Sequence, residues 1–93
     1  MTRAGRRALR QWLAEPVAHL RDVRSELLLK LQLCDLAQVD ALPLIEAQRE
    51  VSEPVARKWA TEIRRGQTDP VTLWRYESSK AVVRFLQRLA SNG

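Results

Sequence analysis

Hydrophobic and polar positions recur at helical spacing along nearly the whole chain. The densest stretch is residues 20–36, LRDVRSELLLKLQLCDL, which holds no glycine or proline. On a wheel of about 100° per residue, Leu20, Val23, Leu27, Leu31 and Cys34 fall on one side. Leu29, Leu33 and Leu36 fall on the opposite side, with Arg24, Ser25, Lys30, Gln32 and Asp35 between the stripes. A surface helix of a small monomer needs one apolar stripe. The second predicts a second partner, either another helix of the chain or a second copy.

The remaining elements follow from the same spacing and from end signals. Ala8, Leu9, Trp12 and Leu13 predict a helix over 4–14, capped by Thr2 and ended at Glu15-Pro16. The leucine-rich helix is predicted over 19–36. Asp40 is a suitable N-cap, and Pro43 is tolerable in a first turn. Leu44, Ile45, Gln48, Val51, Val55, Trp59 and Ile63 then predict a helix over 40–65. Pro54 lacks the N–H that would bond the carbonyl of Glu50, so a kink near Ser52 is expected, with Ser52 alternatively capping a new helix. Gly66 follows Arg64 and Arg65 as a stop. Asp69-Pro70 opens a last helix over 69–91, carrying Val71, Trp74, Ser78, Ala81, Val82, Phe85, Leu86 and Leu89 and fraying into Ser91-Asn92-Gly93. No stretch alternates with period two, so the predicted fold is all-α, with four helices and no sheet. Val82 and Leu86 broaden the apolar face of the last helix. Two overfull faces predict a two-fold symmetric dimer. Its candidate interface residues are Leu29, Leu33, Leu36, Trp74, Val82, Phe85, Leu86 and Leu89.

Ninety-three residues make one small domain, and 45% hydrophobic content excludes a disordered tail. A lone cysteine cannot form an internal disulfide and suits a reducing cytoplasm. No apolar run approaches the roughly 20 residues of a membrane span, and the basic N-terminus lacks the apolar core of a signal peptide. The expected location is cytoplasmic. The net charge of +5 sits at the two ends. Arg3, Arg6, Arg7 and Arg10 precede the first acid, Glu15, and are candidates for contact with phosphates. Lys80, Arg84 and Arg88 close the chain with no acid after Glu77.

The residues of common catalytic and metal sites are missing. His19 and Cys34 are single, too few for a zinc site. Glycines at 5, 66 and 93 form no phosphate-binding loop. Glu46 and Glu50 share a helix face at ordinary surface spacing. The sequence predicts no enzyme, no metal and no cofactor. Trp12, Trp59 and Trp74 lie on apolar stripes, where core packing is the usual use. Trp59 and Trp74 flank the Gly66 turn, and antiparallel packing would bring them to similar depth. They are the candidate lining of any small-molecule pocket.

The stretch TRAGRRALRQWLAEPV resembles the segment that leaves the wing of PadR-like transcriptional regulators, in which a Thr-x-x-Gly-Arg turn opens a helix. Thr2, Gly5 and Arg6 occupy that turn. RDVRSELLLKLQL resembles the first helix of that family's C-terminal domain, and residues 44–65 and LWRYESSKAVVRFLQRL resemble the rest. The resemblance implies a linker helix at 1–16 and a dimerisation and regulatory domain at 17–93. It implies a homodimer that meets operator DNA only through an N-terminal winged helix-turn-helix, and that responds in some members to a small aromatic effector. No winged helix precedes Thr2 in this sequence. The chain is therefore expected to be a fragment, the product of a late start, or a natural isolated domain. Two alternatives stand beside this reading. One is a stand-alone interaction protein that forms mixed dimers with a regulator. The other is non-specific nucleic-acid binding through the basic ends.

Overall fold

The computed structural model describes residues 2–92, without the side chain of Asn92. Gly93, expected in the fraying end, lies outside the described residues. The described residues form four helices and no strand, an all-α fold. Helix α1 is Arg3–Ala14, α3 is Leu42–Arg64 and α4 is Pro70–Asn92. Helix α2 covers 20–36 in three pieces: an α turn Leu20–Asp22, a π turn Val23–Leu27 and an α segment Leu28–Leu36.

The helix ends are built by the expected residues. Thr2 Oγ1 accepts the Gly5 N–H at 3.0 Å at the start of α1. Asp40, expected as the N-cap of α3, lies one residue before that position, which Ala41 holds, and its Oδ1 accepts the Leu42 N–H at 3.0 Å. Asp69 accepts both the Thr72 N–H at 3.1 Å and the Thr72 hydroxyl at 2.7 Å, with Pro70 in the first helical position. These bonds hold the Asp69 carboxyl below the usual carboxylate range. At the end of α3, the N–H of Gly66 bonds Ile63 O and that of Gln67 bonds Glu62 O, a Schellman pair that requires the positive φ of 91° at Gly66. The end of α2 repeats this pair, from Gln38 to Asp35 and from Val39 to Cys34. There a glutamine, Gln38, takes the positive φ, at 57°.

Two expectations need correction. Helix α3 passes through Pro54 unbroken, so Ser52 does not cap a new helix. Ser52 is buried instead, and its Oγ accepts from Gln48 Nε2 at 3.2 Å. Neighbouring turns and the packing against α4 carry the helix across the lost donor. The leucine-rich helix is one continuous run, but its π turn breaks the regular spacing. No local composition marks such a turn.

Helices α3 and α4 pack as a long antiparallel hairpin, each about 35 Å long at 1.5 Å per residue. Helices α1 and α2 cover only the half of it away from the Gly66 turn. Leu13, Val17, Val23, Leu27, Cys34, Leu44, Ile45 and Leu86 form the core there. Residues 53–78, the other half of the hairpin with its turn, contain no buried side chain. The molecule measures 53 × 24 × 17 Å. Its radius of gyration is 15.2 Å, against about 12.3 Å for a compact chain of this length.

Besides Ser52, three polar side chains complete the core. Gln48 is 0% exposed. Its Oε1 accepts the Val17 N–H at 2.6 Å and its Nε2 donates to Val17 O at 3.0 Å, pairing the connector between α1 and α2 as a strand neighbour would. Lys30, 2% exposed, sends its Nζ to Glu15 O at 2.7 Å and lies 4.7 Å from the centre of the Trp12 ring. It closes the end of α1, where carbonyls lack helical partners. Ser79 donates to Tyr76 O at 3.1 Å. Among the described residues, no buried side-chain nitrogen or oxygen lacks a partner. Among them too, no helix is long and apolar enough to cross a membrane.

Candidate interaction groove

The inward stripe of α2 is buried from Val23 onward, while Leu20, expected with it, is half-buried and stands outside the core cluster. Val23, Leu27 and Cys34 are buried, and Leu31 packs against them half-buried. Cys34 is a free thiol in the core, and burial pushes its pKa up. Lys30 joins this face rather than the polar flank. Its aliphatic stem fills apolar space while its ammonium finds an acceptor.

The opposite stripe divides. Leu36 is 78% exposed and Leu29 is also exposed, whereas Leu33 is half-buried against the core. The candidates on α4 divide as well. Leu86 is 0% exposed and Leu89 packs against the core, so both are used within the chain. Leu86, expected at a dimer interface, offers no surface to a partner. Adjacent positions on a helix lie about 100° apart, and the approach of α3 turns Leu86 inward and Phe85 outward. Trp74, 73% exposed, and Phe85 stand in solvent.

Trp74, Val82 and Phe85 come together with the first half of α2. They form one wall of an open groove of about 1150 Å³, whose other wall carries Leu20, Val23, Leu27 and Leu28. Val71 and Ala81 complete its apolar lining, and His19, Arg21, Arg24 and Arg75 supply polar and cationic edges. The groove exists because the first half of α2 runs beside the α4 arm of the hairpin without closing on it. Its α2 wall includes Val23, Arg24 and Leu27 of the π turn, a feature that recurs at functional sites. The sequence announces the apolar residues but not the groove, because the relation between α2 and α4 is set through α3.

Trp59 is not part of this groove. Its ring is faced by Arg75 and Lys58, each 5.0 Å from the ring centre. Trp59 therefore does not line the groove that Trp74 lines. Trp12 is held under Lys30. Arg3, Arg6, Arg7 and Arg10 are all exposed along α1. Helix α1 is no detached arm, since Leu13 is buried in the common core and Leu9 and Trp12 pack against it. His19 is exposed at the edge of the groove. Among the described residues, no group of three or more His, Cys, Asp or Glu side chains is placed to hold a metal ion. The chain matches no protein-family model, no curated protein and no solved structure.

Proposed function

We propose that this chain is the dimerisation domain of a PadR-like transcriptional regulator, with a second copy of itself covering the groove between α2 and α4. The observation that carries this reading is surface area. The chain exposes 6846 Å², whereas a compact monomer of 10.7 kDa exposes about 5500 Å². The excess of about 1300 Å² exceeds the roughly 800 Å² per partner that a standard interface buries. Large apolar side chains on this surface gather at one place. Leu28, Val71, Trp74 and Phe85 are exposed on one groove, and exposed aromatic anchors beside a concavity are the composition of interface hot spots.

The family assignment rests on the order of the four sequence segments described above, and the all-α architecture agrees with it. In this reading the domain holds two operator-reading modules at a fixed separation, in the cytoplasm, and carries out no catalysis. Base reading belongs to a winged helix outside this sequence.

The test is sedimentation velocity on the wild type, on Trp74→Glu/Phe85→Glu and on Leu29→Glu/Leu36→Glu. All four positions are exposed, so folding is retained and is checked by circular dichroism. The groove pair should dissociate the dimer, while the pair on the far face of α2 leaves it intact. Dissociation by the far-face pair alone would overturn the groove as the interface. A wild type that stays monomeric at tens of micromolar would overturn dimerisation itself.

A further inference from the structure

Helix α4 turns towards the groove a seam with the spacing of a coiled coil. Val71, Trp74, Ser78, Ala81 and Phe85 all line the groove, and the steps between them are three, four, three and four residues. That alternation averages 3.5 residues, the repeat that keeps one stripe of a helix against one partner helix. The face of α4 that the chain itself uses is a different one, carrying the buried Ser79 and Leu86. Val71, Trp74, Ala81 and Phe85 are exposed. The seam is aromatic at Trp74 and Phe85 and small between them. Glu77 and Arg84 flank it, one position before Ser78 and Phe85, on the side away from Arg75 and Val82. Both are exposed. Glu77 pairs with Lys80 of its own helix at 3.4 Å, and Arg84 meets no acid among the described residues.

We infer that the part of the second copy that enters the groove is its own α4, running antiparallel, with the two-fold axis level with Ser79 and Lys80; this placement rests on the dimer proposed above. In an antiparallel pair each seam residue meets the alternate seam position of the other helix. With the axis at this level, Trp74 packs against the partner's Phe85, and Ser78 against the partner's Ala81. Aromatic meets aromatic at both ends, and the small residues let the helices approach at the centre. The same register sets Glu77 opposite the partner's Arg84, twice by symmetry. Flanking charges of this kind set the orientation and register of paired helices. Sliding the pair by seven residues one way sets Glu77 on the partner's Glu77, and the other way Arg84 on the partner's Arg84. Either slide also breaks the pairing of Trp74 with Phe85. A parallel pair sets Glu77 against the partner's Val82 and Arg84 against the partner's Leu89, so neither charge is answered. Size and charge therefore select the same arrangement, and like charges count against its neighbours.

The experiment is sedimentation velocity over a concentration series on the wild type, on Glu77→Arg, on Arg84→Glu and on an equimolar mixture of the two variants. Both positions are exposed, and circular dichroism of each variant checks its helix content. Each variant alone sets like charges opposite each other at both symmetric positions, so its dimer should weaken by about tenfold. Net charge alone predicts otherwise for Arg84→Glu, which lowers the +5 of the chain and would by that means tighten the dimer. In a mixed dimer both positions hold opposite charges again, so the mixture should dimerise as tightly as the wild type. That rescue should fade in about 1 M salt. A mixture no tighter than its components, or an Arg84→Glu variant that dimerises like the wild type, would overturn the antiparallel register and leave the groove dimer standing. A wild type that stays monomeric would overturn the dimer, and this placement with it.

Discussion

Gln48 gives the sharpest prediction about how this fold is held. Its amide makes two hydrogen bonds to the backbone of Val17, and both residues are buried. Gln48→Leu keeps the volume and strands the N–H and C=O of Val17. Each stranded buried group costs about 1–3 kcal/mol, and the leucine returns about 1–2 kcal/mol of apolar burial. The net loss centres on about 2.5 kcal/mol, from a total of roughly 5–14 kcal/mol for a chain of this size. Urea unfolding followed by circular dichroism, at one fixed chain concentration, should show the midpoint falling by more than about 1 M. Gln48→Glu adds a second signature. The carboxylate replaces the donor to Val17 O by an acceptor, so burial raises its folded pKa above the unfolded value of about 4.3. The folded state then holds more protons than the unfolded one, and stability rises as pH falls through the folded pKa towards about 4.3. Relative to the wild type at each pH, Gln48→Glu should therefore recover on acidification while Gln48→Leu does not. A midpoint shift below about 0.3 M for Gln48→Leu, or a pH-independent deficit for Gln48→Glu, would refute the pairing of the connector by this side chain.

The other predictions concern single side chains. Lys30→Met keeps the stem and removes the charge-assisted bond to Glu15 O, so it should cost about 1.5–3 kcal/mol in urea unfolding and alter Trp12 emission. Gln38→Gly relieves a positive φ of 57° and should stabilise by about 0.5–1 kcal/mol, seen as a rise of several degrees in Tm. Cys34 should resist a thiol reagent at pH 7 until urea opens the core. Its raised thiol pKa means that the folded state keeps the proton longer, so stability should fall as pH rises past the ordinary value of 9.0, and Cys34→Ala should flatten that fall.

What the sequence reveals here divides by range. Thr2, Asp69-Pro70 and Gly66 mark helix ends because capping involves residues within one turn, and the structure uses all three. The stripe of Val23, Leu27 and Cys34 is equally local and is buried. Decisions between neighbouring apolar positions are not local. Leu86 and Phe85 differ by one position on a wide apolar face, and only the approach of α3 sends the first inward. Trp59 and Trp74 lie on either side of the Gly66 turn, but Arg75 faces the ring of Trp59, while the neighbouring position carries Trp74 into the groove. Lys30 is read as polar surface by residue type, although it borders the inward stripe on the wheel. A polar residue at a core position was the available signal for it and for Gln48. The π turn at 23–27 had none.

In the proposed dimer a second copy covers the apolar groove between α2 and α4. The most direct measurement is the molar mass of the unmodified chain by light scattering, from about 1 to 50 μM. A dimer gives twice the 10.7 kDa of the single chain, and that mass is expected across the upper part of the range. A mass that stays at 10.7 kDa throughout would contradict it.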